Sequence, residues 1–234
     1  MDNTLQEIRN KLKAGGDARL RDAGQRYFKE KIKAYGFRTA DVTRISKEHF
    51  SRVEGQGKEG IFRMCESLFS SGYIEESFIA CNWSYYARDG FAESDFAVFE
   101  RWIGKYVSNW ATCDTLCNHT VGAFVEKYPE FAGELKRWAR SENMWMRRAA
   151  AVTLIIPAKK GKFLKEAFEI ADILMDDKED LVQKGYGWLL KEESRTRQKE
   201  VFAYVMKNRR RMPRTALRYA IEKMPKDMKA KAMA

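Results

Sequence analysis

The stretch Trp145-Met146-Arg147-Arg148-Ala149-Ala150 decides how this 234-residue chain is read. Two later stretches share its pattern: Leu181-Val182-Gln183-Lys184-Gly185-Tyr186 and Arg211-Met212-Pro213-Arg214-Thr215-Ala216. Each has a basic residue followed by a small one, and they recur after 36 and then 30 residues. Those steps fall in the range of helical repeat arrays, which stack helix pairs and set equivalent helices side by side on one concave wall. Pro213 suits a first helical turn, where its missing N–H costs nothing. Asn143, Asp180 and Arg211 are therefore expected near helix starts. Arg148, Lys184 and Arg214 would then line up near helix N-termini, where exposed N–H groups and the helix dipole favour an anion. Solvated first-turn charges would produce the same spacing.

Working outward, helical periodicity covers most of the chain. Leu5, Ile8 and Leu12 share one face, and so do Phe96, Phe99, Ile103 and Tyr106. Glycines at 15–16, 36, 55–60, 72, 90 and 161 read as helix stops, and Thr39 to Val42, Ser94 and Ser141 as caps or first turns. The β-branched run AAAVTLIIP at 149–157 continues the helical pattern and is expected to be a buried helix end halted by Pro157. With four prolines and little strict alternation, a sheet protein is disfavoured. The expectation is an all-α fold of about twelve to fourteen helices of roughly 10–18 residues joined by short turns. No Ser/Gly/Pro-rich linker divides it, so residues 1–234 are read as a single domain.

Charge is distributed unevenly. From Arg195 to Ala234 there are thirteen Lys and Arg against three acids, whereas the first 194 residues are nearly neutral. A basic element so concentrated suits a polyanion, because each cation that neutralises a phosphate releases a counterion. A disordered basic tail is the alternative, but Leu217, Ala220, Ile221 and Met224 carry helical apolar spacing and favour a folded element.

Other classes are poorly served. No apolar run approaches the roughly 18 residues of a membrane helix, and the charged N-terminus has no signal-like core, so a cytoplasmic, intracellular protein is expected. Cys65 and Cys81 read as small core residues. Cys113, Cys117 and His119 lack the fourth ligand that a structural zinc site needs, so no metal and no cofactor are assigned. Nucleophilic triads, phosphate-binding glycine loops and dinucleotide fingerprints are missing from the sequence.

What remains is aromatic. Trp110 and Asp114 are spaced i,i+4 and would share a helix face. Trp188 follows Lys184 by four residues, and Tyr27 is expected in an amphipathic N-terminal helix. Tryptophans at helical spacing also build cores, and a single Asp is commonly solvated. Yet aromatic faces with one carboxylate suit a cationic or oxocarbenium-like species.

In order and spacing, four segments resemble the DNA alkylation repair glycosylases of the AlkD-like group: Arg26-Tyr27-Phe28-Lys29 with Tyr35-Gly36-Phe37; Trp110-Ala-Thr-Cys-Asp114; Asn143 to Ala150; and Gln183 to Leu190. The resemblance runs from roughly residue 20 to residue 225. It implies a superhelix of stacked antiparallel HEAT-like repeats with a concave basic groove. It also implies hydrolysis of the N-glycosidic bond of alkylated purines such as 7-methylguanine and 3-methyladenine in duplex DNA, by a monomer with no obligate protein partner.

By the same resemblance, Asp114, Trp110 and Trp188 are the candidate catalytic residues, and Arg148 is the candidate phosphate grip. Lys184 and Arg214 extend that grip, and Tyr27 matches an aromatic residue that closes over the damage. Two positions depart from the family pattern: Arg38 replaces an uncharged polar residue, and Ser77 follows Glu76 where a basic residue is usual. A non-catalytic DNA-binding repeat protein of the same superfamily is the alternative expectation. A protein-binding solenoid would need no carboxylate between tryptophans.

Overall fold

The computed structural model describes residues 3–234. The fold is all-α: among the described residues there is no strand, only an isolated parallel bridge between Lys33 and Tyr73. The chain divides into two compact units, Met1–Leu116 and Cys117–Ala234. No helix of the described residues is long and apolar enough to cross a membrane.

The first unit holds α1 (Thr4–Gly15), α2 (Ala18–Gln25), α3 (Thr39–Val53), α4 (Gly57–Ser70), α5 (Ile74–Tyr86), α6 (Asp95–Tyr106) and α7 (Trp110–Thr115). Ile8 and Leu12 of α1 are fully buried, as their spacing requires. Helix α5 is the centre of this unit, packing on α3, α4 and α7. Its Trp83 is fully buried and donates its indole N–H to the Ser46 carbonyl of α3 at 2.9 Å. Phe62, Phe91, Phe99 and Trp102 form a tilted aromatic cluster where α4 meets α6. Each such pair of rings contributes about 0.5–1.5 kcal/mol beyond area burial.

In the second unit lie α8 (Gly122–Lys127), α9 (Leu135–Trp138), α10 (Met144–Val152), α11 (Ile155–Lys159), α12 (Leu164–Ile173), α13 (Asp180–Glu193), α14 (Gln198–Asn208), α15 (Arg214–Ala220) and α16 (Lys226–Met233). Helices α10, α13 and α15, which carry the three repeated stretches, stack in that order with α13 in the middle. Close approach is secured by glycine. A methyl group on Gly187 would lie 2.8 Å from both the Ala216 carbonyl oxygen and Tyr219 Cβ of α15. The basic C-terminal segment is folded, with Leu217, Ala220, Ile221 and Met224 buried.

Three local expectations fail here. Several helices of this unit are shorter than the expected 10–18 residues, and Pro157 does not end one. Instead α10 stops at Val152, Thr153 and Leu154 turn, and Pro157 occupies the first turn of α11, where a proline removes no helical hydrogen bond. The run is buried from Ala149 to Ile155 as expected. Ser141 does not cap α10. It accepts the N–H of Asn143, and the Asn143 side chain caps the helix by accepting the Trp145 N–H at 2.9 Å.

Candidate functional site

Helix α7 is short, and its geometry is set by its first residues. Asn109 adopts the extended backbone of a cap and its side-chain oxygen accepts the Thr112 N–H at 2.9 Å. Trp110 is thus the first helical residue, and Asp114 follows one turn later on the same face. Both are half-buried, whereas Ala111, Thr112 and Cys113 turn into the core. The spacing of a Trp and a carboxylate on one accessible face therefore holds.

Trp110 is held from outside its helix. Its indole N–H donates to the backbone carbonyl of Tyr27 at 3.1 Å. Phe28 stacks on its ring at a centroid distance of 5.4 Å and an interplanar angle of 20°. Tyr27 itself is 76% exposed. It does not stand in a helix as expected: α2 ends at Gln25, and Tyr27 lies in the turn that follows. The reason is local competition for the backbone. The Gln25 side-chain amide donates to the Glu30 carbonyl at 2.8 Å and accepts the Ile32 N–H at 2.9 Å, drawing the next seven residues into a loop.

The far end of this loop is fixed by two buried acids of α5. Glu75 accepts the backbone N–H groups of Tyr35, Gly36 and Phe37 at 3.0, 2.8 and 3.2 Å. Glu76 pairs with Arg9 at 3.0 Å and accepts the Tyr35 hydroxyl proton at 2.8 Å. Burial and the Glu76 carboxylate together raise the Tyr35 hydroxyl pKa well above its ordinary value. Gly36 has φ +100°, and a methyl group there would lie 2.0 Å from the Asp17 carbonyl oxygen, so only glycine fits. Loop and helices border an open pocket of about 220 Å³, lined by Phe28, Phe37, Phe78, Glu75 and Trp110 among others. Sequence reasoning missed Gln25, Phe28, Glu75 and Glu76. Their partners lie across the loop or up to 82 residues away, and no local periodicity marks them.

Of the two family departures, Arg38 is exposed just before α3, and Ser77 is buried, donating to the Tyr73 carbonyl at 3.0 Å. A long basic side chain could not occupy that buried position without rearrangement.

In the second unit the three basic positions are not equivalent. Arg148 and Lys184 each sit five residues past their caps, Asn143 and Glu179, whereas Arg214 directly follows the cap Pro213. Arg218 takes the matching place on α15. Arg148 is 5% exposed and donates to the Leu181 carbonyl at the start of α13. Lys184 is half-buried and paired with Asp180 at 2.7 Å. Arg214 is exposed. Trp188 is half-buried on α13, and its indole N–H donates to Glu192 at 3.3 Å, which is in turn paired with Arg195. Cys113 and Cys117 are buried and His119 is exposed.

Comparison with known proteins adds three findings. The family model described as DNA alkylation repair enzyme matches residues 8–224. A solved structure titled a predicted DNA alkylation repair enzyme from Enterococcus faecalis superposes with a TM-score of 0.81 at 16% identity, covering 90% of this chain and 97% of that one. The Pseudomonas fluorescens alkylpurine DNA glycosylase AlkC, bound to DNA containing an abasic site analog, superposes with a TM-score of 0.54 at 14% identity, covering 99% of this chain and 65% of that one. No curated protein matches by sequence.

Proposed function

Because the chain belongs to the family of DNA alkylation repair enzymes, we propose that it is a glycosylase that hydrolyses the N-glycosidic bond of cationic alkylated purines, 7-methylguanine and 3-methyladenine, in duplex DNA. The observation that carries this reading is the pairing of Trp110 with Asp114 one turn apart on the accessible face of α7. The AlkC neighbour, solved with DNA containing an abasic site analog, supports DNA as the partner.

The chemistry asks little of the protein. Alkylation at N7 or N3 gives the purine a positive charge. When the bond from C1′ breaks, its electron pair returns to the base, which leaves neutral and needs no general acid. The positive charge passes to the sugar, where a nearby carboxylate stabilises it. Asp114 supplies that charge and orients the water that adds to C1′, the water's proton passing to the carboxylate or to solvent. Trp110 and Trp188 offer π faces to the cationic nucleotide. Arg148, Lys184 and Arg214 bind phosphates, and Tyr27 contacts the nucleotide from its exposed turn. A monomer acting inside the cell, where the genomic DNA lies, meets these requirements.

Methylated duplex DNA incubated with the wild type and with Asp114→Asn tests the reading through the release of free 7-methylguanine and 3-methyladenine. Release by the wild type alone supports the carboxylate's role. Equal release by both removes Asp114 from the chemistry. No release by either, with DNA binding retained, points to a non-catalytic DNA-binding repeat protein.

A further inference from the structure

The loop after α2 does more than border a pocket. It makes two separate contacts with one side chain: the Tyr27 carbonyl takes the indole N–H of Trp110, and the Phe28 ring lies nearly parallel to the indole. The first fixes the direction of the N–H and the second fixes the plane. An aromatic pair offset at this distance is attractive but shallow on its own, so the loop must itself be rigid to hold an orientation.

That rigidity comes from Gln25. Its amide spans the loop with bonds to Glu30 and Ile32, while the backbone N–H groups of Tyr27 and Phe28 close turns onto Gly24 and Gln25, each at 3.1 Å. Glu75 fastens the other end. Because Phe28 occupies one face of the indole, a nucleotide can stack on Trp110 only from the other.

We propose that Phe28, braced by Gln25, is a positioning residue that presents the opposite face of Trp110 to the alkylated nucleotide in the bond-breaking step. This rests on the glycosylase reading above. Phe28 touches neither the sugar nor the base in this scheme and acts through Trp110 alone. Misplacing a group by about an ångström can cost a hundredfold in rate.

The test measures single-turnover release of 7-methylguanine, affinity for abasic-site DNA, and the ¹⁵N–¹H signal of the Trp110 indole, assigned by its loss in Trp110→Phe. Phe28→Ala and Gln25→Glu are expected to slow release about tenfold or more, leave affinity within about twofold, and shift the indole signal. Phe28→Tyr should restore the rate. Phe28→Leu, which keeps bulk without a ring face, should remain slow and guards against unfolding of the Ala variant.

Epistasis decides the route. If Phe28 acts through Trp110, Phe28→Ala adds nothing to Trp110→Ala. Losses that multiply, or a Phe28→Leu rate equal to wild type, overturn the proposal. A wild type that releases no base overturns the glycosylase reading instead. The brace is then judged by the indole signal alone, and a signal unmoved in both Phe28→Ala and Phe28→Leu overturns it independently.

Discussion

The carboxylate of Glu75 accepts the backbone N–H of Gly36 at 2.8 Å, joining α5 to a loop 39 residues earlier. With the N–H groups of Tyr35 and Phe37 it forms a three-donor anchor for a segment that has no regular structure of its own. Hydrogen bonds to a buried charge are each stronger than neutral ones. Glu75→Gln keeps the shape but removes the charge and turns one acceptor into a donor facing other donors. It is expected to cost about 2–4 kcal/mol, read as a lower melting temperature. A melting curve that overlays the wild type would mean that the loop is held by other contacts.

Glu193 predicts a pH dependence. Its side chain is fully buried near the C-terminal end of α13, and neither carboxylate oxygen has a hydrogen-bond partner. Burial raises its pKa from 4.5 to about 8; Arg197 opposes the rise and Glu166 adds to it. The raised value means that the folded state holds a proton that the unfolded state releases. Glu193's contribution to stability is therefore complete below pH 4.5, declines as pH rises, and is lost by about pH 8, with a slope of at most about 1.4 kcal/mol per pH unit. Urea midpoints measured across that window should fall less steeply for Glu193→Gln. Parallel curves for the two proteins would refute it.

Salt dependence should separate two cations that sequence spacing treats alike. Lys184 already has Asp180 at 2.7 Å, whereas Arg214 is exposed at the start of α15 with no ion-pair partner among the described residues. A phosphate contact by Lys184 must compete with its carboxylate, and one by Arg214 need not. Arg214→Ala is expected to reduce the slope of log affinity against log salt by about one, and Lys184→Ala by less. The reverse order would show that Asp180 is displaced when DNA binds.

Arg148 combines two roles that a single substitution cannot separate. Its buried guanidinium is bonded to the Leu181 carbonyl and packs against Gly185. Arg148→Ala should therefore weaken DNA binding and also lower the stability of α10 against α13, by about 2–3 kcal/mol. Arg148→Met retains more of the packing, so binding lost in Met but stability largely kept would assign the charge to DNA. Equal stability losses in both would assign it to the fold.

The all-α architecture could be read from apolar spacing because that spacing is what each helix buries. Ile8 with Leu12, and Leu217 with Ala220, Ile221 and Met224, face the core as their intervals require. The Trp110–Asp114 face was legible for the same reason, since both residues belong to one turn. What resisted reading depends on partners outside the periodic pattern. The apolar run from 149 to 157 breaks at Thr153 while remaining buried, so hydrophobicity alone could not mark the break. Helix α2 gives way to a loop in which the Gln25 side chain takes up the backbone groups of Glu30 and Ile32, and Tyr27 lies in that loop. Arg214 departs from the repeat because its helix begins only after Pro213, one turn later than alignment with Arg148 suggests.

Gly187 immediately precedes Trp188, and α15 lies so close that a single added carbon would meet backbone and side chain at once. Helix α13 cannot roll about its own axis in that contact without collision. The azimuth of the Trp188 ring is thereby fixed by a neighbour that has no side chain. Any larger residue at position 187 would collide with α15, although the glycine has no side chain and carries no chemistry. Any alteration of α15 that widens the gap would be felt first as a change in where that indole points.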